Sequence, residues 1–365
     1  MAKKFIAGEK AFLLAVLTLI ILSIIGNGSI VKESLIIESI LFFLVFSIII
    51  IAAMGVVHHA ELLAHKLGEP YGTMILTLSA VTVEIIMVSA MMLHGDADSE
   101  IARDTIFSTL MILLNGLTGL IMFIGGLKYG EQKYNIKSTN SFFSMIFAVI
   151  GLGMFLPLII NFENYYVYEI FLIIICLTLY TFFIRMQSKE HNYYFKFEHN
   201  NNYGNSHDKY IPAKNEINAL YHAVMLIATI ASISILAESL SVFVDDGIEK
   251  LSLPAGVAGL IIALIIVSPE GLTAIRAGLK DDMQRVVNIS LGSMLSTVSL
   301  TIPAVLIVGL IIGRDIILGL TPIQAGMVII SFLVGILSCK DGESNALQGF
   351  IHFMLFITFV FLIFI

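Results

Sequence analysis

Leu253 to Ala277 reads LPAGVAGLIIALIIVSPEGLTAIRA, an apolar run long enough to cross a bilayer as a helix, with Glu270 well inside it. A carboxylate at that depth is costly unless a cation or a proton occupies it, so Glu270 is read as a functional residue. Pro269 has no N–H and leaves the carbonyl of Ile265 without its helical donor, and freed carbonyl oxygens beside a carboxylate suit a hard cation. Gly256, Gly259, Ala263, Ala274 and Ala277 put small residues on roughly the glutamate's face, which predicts close approach of another helix. A kinked packing helix with a protonated, hydrogen-bonded glutamate is the bland alternative.

Outward from that stretch the chain stays apolar. Of its 365 residues 58% are hydrophobic and 13% charged, and mean hydropathy is +0.96, which describes an all-α polytopic membrane protein. The formal charge of -7 comes with no basic stripe, so nucleic acid is excluded as a partner and the lipid bilayer is the expected one. Two cysteines, Cys176 and Cys339, give no disulfide framework, and no cofactor is expected. Eleven spans are predicted at about 10–26, 35–57, 71–93, 104–127, 141–160, 167–186, 217–243, 253–277, 286–312, 321–339 and 345–365. The first follows basic residues and mimics a signal peptide, but is read as a retained helix. The polar stretch 187–216 is read as a flexible connector between two halves. With the N-terminus inside, sixteen of the twenty Lys and Arg fall in inner segments and only Lys32, Arg103, Lys250 and Arg314 in outer ones, which predicts a cytoplasmic N-terminus and an external C-terminus.

The halves resemble each other. HHAELLAHKLGEPYGTMILTLSAVTVE, His58 to Glu84, is echoed by the stretch from Glu238 to Glu270: each places an Ala-Glu pair (Glu61, Glu238) late in one span and a glutamate inside the next. A helix with a line of small polar side chains then follows in each half, Thr105, Ser108, Thr109 and Asn115 in the first, Asn288, Ser290, Ser293, Ser296 and Thr297 in the second. The glutamate helices are spans three and eight, an odd number of crossings apart. They are therefore expected to run in opposite directions, as in inverted repeats with a substrate site near the midplane.

These motifs, with RDTI at Arg103 to Ile106, VSPEG around Glu270 and QRVVNISLGSMLSTVSLTIP from Gln284, resemble the cation/calcium exchanger superfamily and, within it, the bacterial calcium/cation:proton antiporters. The resemblance implies an extra first helix (1–34), one exchanger repeat at 35–186, a cytoplasmic connector at 187–216, a second repeat at 217–365, a bacterial inner membrane, and a cation held between Glu84 and Glu270. Where plant and yeast exchangers carry Gly-Asn-Ala-x-Glu, this chain has Ala-Val-Thr-Val-Glu84 and Ile-Val-Ser-Pro-Glu270, so Thr82 and Ser268 become candidate oxygen donors.

The function expected is secondary active transport by alternating access, exchanging cytoplasmic Ca²⁺ for external H⁺ and using no enzyme chemistry. Calcium takes six to eight hard oxygen ligands, and two carboxylates with hydroxyls, carbonyls and water can supply them; the same carboxylates can take protons instead. An Na⁺ or K⁺/H⁺ antiporter on the same scaffold is the nearest rival. Glu61 and Glu238 are candidate entry or relay groups. His58, Glu61 and His65 share a helical face with metal-site spacing, the basis of a rival membrane metalloenzyme, though a pH-sensing or packing role is favoured. A passive cation channel is the remaining rival. Asp104 and Arg103 are expected to be a helix cap and an interfacial anchor. Oligomeric state is not legible.

Overall fold

The computed structural model describes residues 9–25, 35–67, 71–94, 99–159, 165–195 and 217–365. Lys3, Lys4, Lys32, Lys196, Lys209 and Lys214, part of the orientation argument, and most of the connector lie outside them.

Each predicted span coincides with a helix: α1 Lys10–Ile25, α2 Leu35–Leu67, α3 Tyr71–His94, α4 Ile101–Tyr129, α5 Ile136–Ile159, α6 Tyr165–Glu190, α7 Ala219–Leu251, α8 Gly256–Gly278, α9 Met283–Ile312, α10 Pro322–Cys339 and α11 Ala346–Ile363. Among the described residues nine of these are long and apolar enough to cross a membrane, and α1 and α3 are shorter apolar helices. The protein is an integral membrane protein of the all-α class.

Helices end where stop signals stand, not where hydrophobicity fades. α2 continues past residue 57 to Leu67 and α7 past 243 to Leu251, because a run such as HHAELLAHKL is polar but helix-compatible. This leaves Glu238 well inside α7, not near its end. True stops carry their own chemistry. Thr321 and Gln324 form a capping box at α10, as do Asn345 and Gln348 at α11; Asp282 caps α9, and that helix ends at Gly313 with φ of 72°. Among the described residues four helices contain π-turns: Ile112–Leu117 in α4, Gly151–Phe155 in α5, Met186–Glu190 in α6 and Thr297–Thr301 in α9. A short antiparallel pair, β1 Gln132–Lys133 and β2 Glu343–Ser344, joins the turns before α5 and α11. The connector does not open at residue 187. α6 runs to Glu190 and a 3₁₀ turn follows at Asn192–Phe195, held because the Phe195 ring packs on Phe142 and Phe183 and its carbonyl accepts from Asn288.

The chain forms two compact units, neither of them one sequence half. The first holds α1, α2, α3 and α7. There, Lys250 pairs with Glu38 at 2.6 Å and His222 meets His59 at 3.0 Å, so α2 and α7 lie side by side in opposite directions. The second holds α4–α6 and α8–α11. Here a Cβ added at Gly259 would meet Asp104 and Thr105, one at Gly271 would meet Leu117 and one at Gly278 would meet Ile121, so α4 and α8 run parallel. Asn115 bonds His352, while a Cβ at Gly126 would meet Ala346, so α4 and α11 are antiparallel. Opposite directions for helices an odd number apart and equal directions for those an even number apart are what a chain crossing back and forth requires.

Candidate functional site

Glu270 stands on α8, which runs unbroken from Gly256 to Gly278 with Pro269 inside it. The small-residue face meets the helix it was expected to admit, namely α4: a Cβ on Gly259 would lie 2.8 Å from the Asp104 carbonyl carbon, so the two backbones touch. Ala263, Ala274 and Ala277 are buried along α8. The glutamate itself is partly buried, and Ser293 of α9 is a polar neighbour of its carboxylate.

Glu84 belongs to the other unit, on α3, and is 3% exposed. The Thr82 hydroxyl donates to the Leu78 carbonyl at 2.6 Å and that of Ser268 to the Leu264 carbonyl, each bond turning the side chain back on its own helix. Two residues of helix amount to a rotation of about 200°, so each hydroxyl lies on the far side of its helix from the neighbouring glutamate.

The remaining polar candidates divide. Asn115, placed by the π-turn of α4, donates to the Ser331 hydroxyl at 2.7 Å and its carbonyl oxygen meets His352 Nδ1 at 2.9 Å. It therefore ties α4 to α10 and α11. Asn288 donates to the Phe195 carbonyl at 2.8 Å and accepts from Gln284 at 2.9 Å, which fixes the start of the connector. Ser108 and Thr297 are buried on α4 and α9. Beside them, the hydroxyls of Thr105, Thr109, Ser290, Ser299 and Thr301 are buried without a partner among the described residues. An unpaired hydroxyl in a dry interior is unfavourable by about 1–3 kcal/mol, so each of these positions on α4 and α9 is suited to a water or an ion.

Glu61 and Glu238 are exposed. His58, Glu61 and His65 do not assemble: among the described residues no three His, Cys, Asp or Glu side chains converge on a point that would hold a metal ion. Arg103 and Asp104 are not an anchor and a cap. Arg103 is 4% exposed, with Nε 2.9 Å from Asp104 and a terminal nitrogen 2.7 Å from Glu100, while Gln324 donates to Asp104 at 2.7 Å. Glu100 occupies the α4 N-cap position. The cluster exists because a guanidinium brought inside protein must be paired.

Sequence reasoning passed over His352, Ser331, His59 and His222. A histidine inside an apolar span is the same signal as a glutamate there, and applying the intramembrane argument to imidazoles as well as carboxylates would have found His352.

Comparison with known proteins gives concordant results. The family model described as sodium/calcium exchanger protein matches residues 37–189 and 221–365. The chain is 31% identical over 357 residues, covering 98% of itself and 96% of the relative, to the sodium-potassium/proton antiporter ChaA of Escherichia coli (strain K12). It is 25% identical over 265 residues, 68% of itself and 70% of the relative, to a Ca(2+)/H(+) antiporter of Aphanothece halophytica. Its fold matches the solved structure of native YfkE with a TM-score of 0.74 at 20% identity, over 97% of this chain and 99% of that one.

Proposed function

The chain belongs to the sodium/calcium exchanger family, and from that premise we propose that it is a proton-coupled cation antiporter in which Glu84 and Glu270 bind cation and protons in turn. The observation that carries the reading is a carboxylate set inside each of two membrane helices, α3 and α8, with Glu270 on the helix that α4 approaches to backbone contact. A charge so placed is unfavourable when bare, and a metal ion or a proton relieves it equally well. Occupancy by one therefore expels the other, which is the condition for exchange and not for a leak. Alternating access then exports the cation from the cytoplasm and returns protons.

Calcium is the proposed ion, since two carboxylates with hydroxyls and carbonyls supply hard oxygen. The Ca(2+)/H(+) antiporter relative supports this. A second reading, Na⁺ or K⁺ in place of Ca²⁺, is favoured by the ChaA relative, named for sodium-potassium/proton antiport and matched over nearly the whole chain. Thr82 and Ser268, turned away from the glutamates, reduce the oxygen set and point the same way. Proton flux in proteoliposomes against Ca²⁺, Na⁺, K⁺, Mg²⁺ and Mn²⁺ tests both readings. Flux driven by Ca²⁺ alone supports the first, flux driven by Na⁺ and K⁺ the second, and cation uptake without proton movement excludes antiport.

A further inference from the structure

In the first unit the chain entering α1 meets α2 and α7 through a network that the transport reading does not use. The Glu9 carboxylate, 5% exposed, receives the Tyr221 hydroxyl on one oxygen and lies 3.0 Å from His59 Nε2 on the other. His59, 3% exposed, has its second nitrogen 3.0 Å from Nδ1 of His222. One turn of α2 away, a Cβ on Gly55 would lie 2.8 Å from the Cβ of Ala11, so α1 is seated directly against α2 at this end. We propose that Glu9, His59 and His222 form a binding site for one exchangeable proton, which fastens α1 to the α2–α7 pair.

The chemistry follows from counting hydrogens. Two ring nitrogens facing each other at 3.0 Å hold one hydrogen between them and not two. With both imidazoles neutral, His222 donates to His59, His59 donates to Glu9, and the buried carboxylate keeps an uncompensated charge. One added proton makes the pair a shared imidazolium. The bridging hydrogen stays in place, and a positive charge now stands against Glu9. A second proton sets two N–H groups head to head and splits the pair. The groups facing this site are Glu9 and the exposed Lys10 from the α1 side, His58 and His59 from α2, whose rings lie 5.6 Å apart, and Tyr221 and His222 from α7.

Nitrogen-15 histidine NMR of the full-length protein in lipid nanodiscs, between about pH 5 and 8, tests this without any transport assay. His59→Gln and His222→Gln identify the two resonances. In the wild type both rings should shift together over one step, with one proton taken up per pair. Glu9→Gln should move that step down by about one pH unit and speed amide exchange in α1 by about tenfold. Two rings titrating in separate steps, no titration in the range, or unchanged exchange of α1 in Glu9→Gln would overturn the proposal. Because cation flux is not measured, failure here is distinct from failure of the antiport reading.

Discussion

Ser293 is the side chain that distinguishes Glu270 as a binding group from Glu270 as a packing group. A hydroxyl beside a carboxylate is worth about 1.5–3 kcal/mol when the carboxylate is charged. Ser293→Ala should therefore raise the cation concentration for half-maximal exchange by roughly tenfold while thermal stability barely moves. An unchanged half-maximal concentration would remove Ser293 from the site. His352 is a different kind of residue, since it holds the carbonyl oxygen of Asn115. His352→Leu leaves that oxygen buried and unpaired and should destabilise by about 1–3 kcal/mol, and the double variant Asn115→Leu, His352→Leu should recover part of the loss. Melting of the detergent-solubilised variants decides it. At this scale the glutamates were legible because a charge in an apolar run stands out. The partners of Asn115 and Asn288 were not, because which polar groups meet depends on π-turns and on a 3₁₀ turn that hydropathy does not encode.

The element that organises the second unit is the α4–α8 contact, and glycine makes it. At Gly259 even a methyl group would sit 2.8 Å from the Asp104 backbone, which no rotamer change relieves. Gly259→Val should force α4 and α8 apart, cost about 1–3 kcal/mol and lower exchange together with stability, whereas Gly256→Ala, 3.6 Å from the nearest side-chain atom, should be tolerated. Equal melting temperatures for the two variants would contradict the packing account. The sequence showed this seam as a stripe of Gly and Ala without showing which helix fills it. It also put helix ends where charge begins; α2 and α7 run on because nothing in HHAELLAHKL or VDDGIEKL forbids helix.

For the whole molecule, the alternation of spans was legible from apolar runs alone, and the relative directions of α2 with α7, α4 with α8 and α4 with α11 agree with it. The division into compact units was not legible, because sequence similarity marks what was duplicated and contact marks what packs, and here α7 packs with helices of the first half. The central claim is competition between cation and proton for the same carboxylates, and proton release into lightly buffered detergent solution on adding the transported cation measures it directly. The wild type should release up to about two protons per cation bound, and Glu84→Gln or Glu270→Gln should each release fewer while remaining folded. Cation binding without proton release, or release undiminished in both variants, would contradict the account.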